Sequence, residues 1–328
     1  MTHVTFQGKQ YHLHEQESVL ECLLRHNIAV PSSCRSGICQ TCLMHLLSGH
    51  VPAVAQQGLK PAWREQGRFL ACVCRPEEDI EVAMADRTEG PHINATVVAK
   101  DFLTDSVTRI RMICAEPFEY QAGQFINIQR GDNSMLIRSY SLASVPVLDQ
   151  ALEIHVRRVT NGKMSGWLHD DVETGQQLII SKPQGECYYQ TGHEAQGIMM
   201  LATGTGLAPL WGVLRDALQH DHKGPIYLFH GALLEKDLYL NDELQEMARQ
   251  HAQFSYFPCL DGDTPVTEPY LSGRVQDLAL QRQSDLKGWQ VYLCGNPDMV
   301  ADAKRKTFLA GASLADIHAD PFIPAAAS

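Results

Sequence analysis

The feature that most constrains this chain is the nonapeptide CRSGICQTC, which carries Cys34, Cys39 and Cys42 and is answered far downstream by FLACVC. The spacing C-x4-C-x2-C, with a further cysteine after a long gap, is the one that holds a plant-type [2Fe–2S] cluster, in which four thiolates converge on two irons. The fourth ligand is either Cys72 or Cys74. Residues two apart on an extended chain point to one face, so spacing alone leaves that choice open. A zinc site or buried free thiols is the competing reading of the same cysteines. Gly37 lies between the first two ligands, where the backbone must curl and turn its N–H groups toward sulfur, a conformation glycine tolerates.

A chain of 328 residues is long enough for two or three domains, each with its own core. Its net charge of −11 argues against nucleic-acid binding, which needs a basic face. No apolar run approaches the length of a membrane span. The polar start MTHVTFQGKQ lacks a secretory pattern, so a reducing cytoplasmic setting is expected, with several of the ten cysteines serving as metal ligands.

Residues 1–85 read as a small β-rich domain. VTF and YHL around Gly8 form an opening hairpin, followed by a helix that starts near Ser18, faces Val19, Leu20, Leu23 and Leu24 inward and ends near Asn27. Pro31 leads into the cysteine loop. The polar stretch DRTEGPHI, residues 86–93, is the expected linker. From 94 to 192 the segments ATVVAKDF, VTRIRMI, GQFINIQR, LEIHVRRV and QQLIIS predict a closed antiparallel barrel. Within it RSYS places Arg138, Ser139, Tyr140 and Ser141 in sequence: Arg138 is a guanidinium fork for phosphate, Tyr140 an aromatic face for a flat ring, and Ser141 a hydroxyl for a ring nitrogen. GKMS, Gly162 to Ser165, reads as a glycine turn opening a short helix whose free N–H groups suit a pyrophosphate.

From 193 to 328 strand and helix alternate, which predicts a doubly wound parallel sheet. GIMMLATGTGLAPLWGVLRDAL is a buried strand, a glycine turn and a helix with Pro209 in its first turn. DLYLNDELQEMARQ predicts a second helix and VQDLALQRQ a third. Ligands bind such a sheet at the carboxyl ends of its strands, where Gly204, Gly206, Gly231, Cys294 and Gly295 stand.

The order of these parts, cluster loop, then RSYS and GKMS, then GTGLAP and CGNPDMV, resembles the ferredoxin–NAD(P)H reductase superfamily. More narrowly, it is similar to the single-chain reductase components of multicomponent bacterial oxygenases, over nearly the whole chain. The resemblance implies a β-grasp-like [2Fe–2S] ferredoxin domain, an FAD-binding β-barrel and an NAD-binding α/β domain. Because LAC-x-C-x-P is similar to the closing segment of plant-type ferredoxins, it implies Cys72 as the fourth ligand. It further implies FAD, with Arg138, Ser139, Tyr140 and Ser141 around the flavin and Gly162, Lys163, Met164 and Ser165 at its pyrophosphate. His155, Val156 and Arg157 would lie along its adenine side, and Phe322 of HADPF near the isoalloxazine. Thr203, Gly204, Thr205, Gly206, Pro209, Gly231 and Gly295 would contact the nicotinamide dinucleotide. Ser141 and Cys294 would stand at the reacting flavin nitrogen and nicotinamide carbon. Cys294 has the alternative reading of a small buried residue in its strand. One departure from the family is Gln40 after the second ligand, where a small residue is common.

The function implied is electron transfer from NADH through FAD and the cluster to a terminal oxygenase or hydroxylase component, docking near Arg35, Ser36 and Gln40. The alternatives are a reductase for a deoxysugar dehydratase and a non-catalytic carrier or redox sensor. Flavin accepts two electrons and releases them singly, and hydride transfer itself requires no acid–base residue. The fifteen histidines are therefore expected on the surface or in the core. Acidic and apolar residues after the second and third strands, Glu235 and Asp261 among them, favour NADH over NADPH.

Overall fold

A seven-residue helix does not persist alone in water, so the first helix must be held by its surroundings. In the computed structural model, which describes residues 2–32, 34–37, 40–59, 61–85, 92–262 and 267–323, α1 (Val19–Arg25) is started by a reciprocal Ser18–Glu21 capping box. The cap contributes about 1 kcal/mol. Burial of Val19, Leu20 and Leu23 contributes about 1.5–3 kcal/mol each, so packing decides the helix. Cys22 shares this buried stripe, while Leu24 is only partly covered.

The stripe lies on a five-stranded sheet of order β2-β1-β5-β3-β4. β1 (His3–Phe6) and β2 (Lys9–His12) form the expected hairpin through Gln7 and Gly8, both at positive φ. After the cysteine loop come β3 (Leu43–Ser48), the short α2 (Pro61–Glu65), β4 (Arg68–Leu70) and β5 (Ile80–Met84). β5 runs parallel to β1 and antiparallel to β3. Cys39 and residues 86–91 of the expected linker lie outside the described residues.

The second unit is a six-stranded antiparallel sheet: β6 (Ile93–Phe102), β7 (Val107–Cys114), β8 (Phe125–Arg130), β9 (Asn133–Ser141), β10 (Leu152–Arg157) and, after α3 (Lys163–Gly166), β11 (Gln177–Ile180). Its order is β10-β7-β6-β11-β8-β9. A bridge between Leu142 and Ile154 joins the last strand to the first and closes the barrel around Val97, Ile110, Ile126, Ile128 and Ile154.

The third unit is a parallel sheet of order β15-β14-β13-β12-β16-β17. Its chain order is β12 (Ile198–Thr203), α4 (Leu207–Gln219), β13 (Ile226–Ala232), α5 (Asn241–Gln250), β14 (Phe254–Leu260), β15 (Leu271–Ser272), α6 (Val275–Arg282), β16 (Gln290–Gly295), α7 (Pro297–Leu309) and β17 (Ile317–Pro321). Ile198 to Ala202 of β12 are all buried, as expected of a strand covered on both faces. Strand order reverses on either side of β12, which makes the crevice beside its carboxyl end a ligand site. Among the described residues no helix is long and apolar enough to cross a membrane.

One expected helix is shorter than its sequence suggests. DLYLNDELQEMARQ is helical only from Asn241, because Leu238, Tyr239 and Leu240 are all buried and a helix cannot turn three successive side chains inward. Leu240 instead takes φ 55°, and the Tyr239 hydroxyl sits 3.2 Å from His155 Nδ1 in the barrel.

Candidate active site

The cysteine loop leaves α1 and returns into β3. Within it the Ser36 N–H donates to Cys34 Sγ at 3.4 Å, and the Cys72 N–H donates to Cys42 Sγ at 3.4 Å. The Cys72 thiol is held below its ordinary value by its hydrogen bond with Cys42, opposed by burial and helped by the Gly37 N–H. Gly37 has φ +80°, and a Cβ there would press on Val73 at 3.2 Å. Sulfurs that receive backbone N–H groups are the acceptors a thiolate-ligated cluster presents, so these residues fit one. Among the described residues no three His, Cys, Asp or Glu side chains are grouped to hold a metal ion; Cys39, the remaining member of the set, lies outside them.

β9 carries RSYS across the barrel mouth. Ser139 Oγ donates to Asn127 Oδ1 at 2.7 Å, while Arg138 reaches the other way and donates to the Ser32 carbonyl of the cluster unit at 3.3 Å. Burial raises the Tyr140 hydroxyl well above its usual range, so it stays protonated. Ser141 Oγ donates to Asp320 Oδ2 at 3.2 Å. Asp320 was not among the residues singled out from sequence. It stands two places before Phe322 on β17, in register with Cys294 on β16, and its carboxyl is pushed up to about 6 by burial, with the Cys34 charge adding to the rise. The only signal in the sequence was an acid inside HADPF; its partner is 179 positions away.

The glycines at the sheet crevice are there for close packing. A Cβ on Gly206 would lie 2.2 Å from the Cys294 carbonyl oxygen, and one on Gly295 would lie 2.5 Å from Thr203 O. Thr203 Oγ1 in turn accepts the Asn296 N–H at 2.9 Å, and a Cβ on Gly231 would meet Val275 at 2.7 Å. Gly206→Ala therefore forces α4 away from β16. Overpacking of this kind costs about 3 kcal/mol, which chemical denaturation will register; wild-type stability in that variant would show that the crevice yields freely.

The other expected residues are distributed unevenly. Phe322 N–H bonds to Gly295 O at 2.7 Å, which carries the aromatic past the crevice, and Pro209 is buried in the first turn of α4. Arg157 Nη1 comes within 3.2 Å of the place a Gly204 Cβ would occupy, so the barrel and the glycine turn meet there. The side chains of His155 and Val156 are both buried, Val156 in the barrel core and His155 on the opposite face against Tyr239. His155 is engaged by Tyr239 on one ring nitrogen and by Glu153 on the other, at 3.0 Å, so of these three residues Arg157 alone leaves its side chain exposed to a ligand. Met164 is also buried, and Ser165 Oγ accepts the Val159 N–H at 3.1 Å, bracing the turn at Gly162. Lys163 is exposed. Cys294 is fully buried, its Sγ 3.5 Å from that of Cys187, and burial keeps its thiol protonated.

Three units with these contents match three domain families in the same order. The 2Fe-2S iron-sulfur cluster binding domain covers residues 4–77, the oxidoreductase FAD-binding domain residues 94–189 and the oxidoreductase NAD-binding domain residues 200–305. The reductase subunit of an aromatic O-demethylase from Amycolatopsis sp. is 32% identical, with 98% of each chain aligned. The ferredoxin–NAD(P)+ reductase component of a naphthalene 1,2-dioxygenase system from Pseudomonas putida is 31% identical over 94% of each. A crystal structure of an Amycolatopsis cytochrome P450 reductase superimposes with a TM-score of 0.69 over 99% of both chains at 31% identity. The chain belongs to the single-chain ferredoxin–NAD(P) reductase family.

This reductase is an oxidoreductase with a [2Fe–2S] cluster, FAD and a nicotinamide dinucleotide. Two features stand out where the barrel meets its neighbours. Arg138 is unpaired with any carboxylate among the described residues, and Ser141 and Asp320 line a protonable contact at the junction with the sheet.

Proposed function

We propose that the reductase takes a hydride from NADH and delivers single electrons, by way of FAD and the cluster, to a terminal oxygenase or hydroxylase component. What supports this reading best is the position of Asp320. It stands beside Cys294 in the sheet, accepts the Ser141 hydroxyl of the barrel, and feels the charge of Cys34 in the cysteine loop. One carboxyl thus joins the sheet to the barrel by a hydrogen bond, within the electrostatic reach of the cysteine loop, where two-electron and one-electron chemistry must meet. The relatives named as reductase components of an aromatic O-demethylase and a dioxygenase system favour an oxygenase as acceptor.

In this scheme Cys34, Cys39, Cys42 and Cys72 hold the irons. Arg138 binds a flavin phosphate, Ser139 steadies the strand through Asn127, Tyr140 covers the ring and Ser141 bonds its reacting nitrogen. Gly162 to Ser165 and the backbone of His155 to Arg157 cradle the rest of FAD, and Phe322 packs near its ring. Thr203 to Gly206, with Pro209, Gly231 and Gly295, shape the dinucleotide crevice, and Cys294 keeps a small neutral group beside the nicotinamide. The flavin supplies the step-down from paired to single electrons; the protein supplies position and the path for a proton. The purified reductase should reduce cytochrome c many times over at the expense of NADH. A single turnover followed by arrest would instead identify a sensor. Coupling of NADH oxidation to product formation by an added oxygenase component separates this acceptor from a dehydratase.

The same reading favours NADH. After β13 the Glu235 carboxylate accepts the Tyr270 hydroxyl at 2.7 Å, and after β14 Asp261 lies 3.5 Å from Arg274 Nε. A 2′-phosphate at these positions meets carboxylates, and Arg274 is already paired with one of them. The expected kcat/KM is at least about a hundredfold higher for NADH than for NADPH, and Asp261→Ser, which releases Arg274, narrows the gap about tenfold. Equal constants for the two nucleotides in wild type would refute the assignment.

A further inference from the structure

The residue after the first cluster cysteine has a side chain that the cluster does not explain. Arg35 sits at φ 52°, an uncommon backbone conformation for a residue with a side chain. Its Nε is buried and has no hydrogen-bond partner, and the Oγ of neighbouring Ser36 is buried and unpartnered as well. The face expected to greet an electron acceptor is therefore partly turned inward. The barrel lies against this loop, for Arg138 donates to the Ser32 carbonyl three residues before Arg35. Burial is the main reason Arg138 binds its proton less tightly than usual, but the charge of Arg35 also contributes, so the two guanidinium groups feel each other. Neither has a carboxylate partner among the described residues.

Two cations that feel each other across a domain junction repel, and a buried donor without an acceptor is destabilising. An anion between them relieves both penalties. Two anionic groups are in reach: the thiolate cluster beside Cys34, and a phosphate of FAD, which Arg138 binds on the reading given above. Only the phosphate answers both arginines, because Arg138 belongs to the barrel and not to the cysteine loop.

We propose that Arg35 of the cysteine loop is a second phosphate ligand of FAD, paired across the domain junction with Arg138, so that the flavin's pyrophosphate fastens the cluster domain against the barrel. This rests on the assignment of Arg138 to FAD. It gives the cofactor a structural duty besides its redox one: the distance from flavin to cluster is set only when FAD is in place. Guanidinium suits the task because its fork grips a phosphate in a fixed direction, whereas ammonium supplies charge without orientation.

The test is FAD affinity, measured by flavin fluorescence on protein stripped of FAD with its cluster retained, for wild type, R35Q, R35K, R138Q and R35Q/R138Q. R35Q should weaken FAD at least about tenfold with the cluster's visible absorption unchanged, and R35K should recover part of the loss. The double variant should lose less than the sum of the single losses, as groups sharing one ligand do. Small-angle scattering supplies a second readout: wild type contracts when FAD is added, while R35Q stays extended at an FAD concentration that saturates it. FAD affinity within twofold of wild type in R35Q, with R138Q weakened, overturns the role of Arg35 and leaves that of Arg138 standing. Unchanged affinity in both overturns the two together. Loss of the cluster absorption in R35Q and R35K alike assigns Arg35 to the cluster instead, and overturns the proposal.

Discussion

Cys72→Ser abolishes the visible absorption of the cluster and lowers NADH-dependent cytochrome c reduction more than about a hundredfold, while Cys74→Ser leaves both close to wild type. The two cysteines are two apart, and on an extended strand they would share a face. They do not, because the chain turns between them: Val73 N–H bonds back to Leu70 O at 3.3 Å. Cys72 is thereby brought to Cys42, whose sulfur accepts its N–H, and to the Gly37 N–H. Cys74 is carried into the core beneath α1, where its carbonyl accepts the Val19 N–H at 2.9 Å and burial alone pushes its thiol up to about 12. A thiol so reluctant to ionise is a poor iron ligand. Serine at 74 buries a hydroxyl without an assured partner, so its expected cost is about 1–3 kcal/mol of stability and no colour. Ferricyanide, which can take electrons from the flavin directly, should still be reduced by Cys72→Ser. An uncoloured Cys74→Ser protein beside a coloured Cys72→Ser protein would reverse the assignment.

Local chemistry explains which parts of this architecture could be read from the chain. The hairpin at Gly8, the capped helix at Ser18, the barrel strands and the β-turn-α at Gly204 depend on neighbours in sequence, so their residues announce them. What escaped depends on distant partners. Tyr239 breaks a predicted helix because His155 and the barrel offer it a better site than solvent does. Arg35 looks like a surface residue, yet its Nε is buried in a loop that Arg138 of the barrel reaches at Ser32. Gly206 looks like a place for a phosphate to approach, yet the space it leaves is taken by the Cys294 carbonyl. Cys187, which no motif marks, lies against Cys294 because the last segment of the barrel unit runs beneath the sheet. In each case the residue's type is ordinary and its role is conferred by a partner distant in sequence.

Asp320 is the case with the largest functional consequence, and two measurements on Asp320→Asn should move in opposite directions. Turning one hydride into two single electrons releases a proton inside the protein, and the Ser141–Asp320 hydrogen bond offers it a way out. Asp320 takes that proton only when ionised, and burial has raised its carboxyl from 3.8 to about 6. Reduction of cytochrome c should therefore fall as pH drops through about 6. Asp320→Asn should lose that inflection and be slower at pH 7 by about tenfold or more, since a positioned proton acceptor typically contributes a hundredfold or more and water retains part of the traffic. Stability runs the other way. A carboxyl whose pKa is raised on folding binds more protons folded than unfolded between about 4 and 6, so its contribution to stability declines across that window as pH rises. At pH 7 the folded protein bears the full cost of the buried charge, at most about 3 kcal/mol, and asparagine removes it while still able to accept the Ser141 hydroxyl. The variant should thus unfold at a higher denaturant concentration than wild type at pH 7 and match it more closely near pH 4. A residue that merely braced the domain junction would lose stability and rate together; a gain in stability with a loss in rate and a flattened pH profile is expected only of a group kept charged for its chemistry.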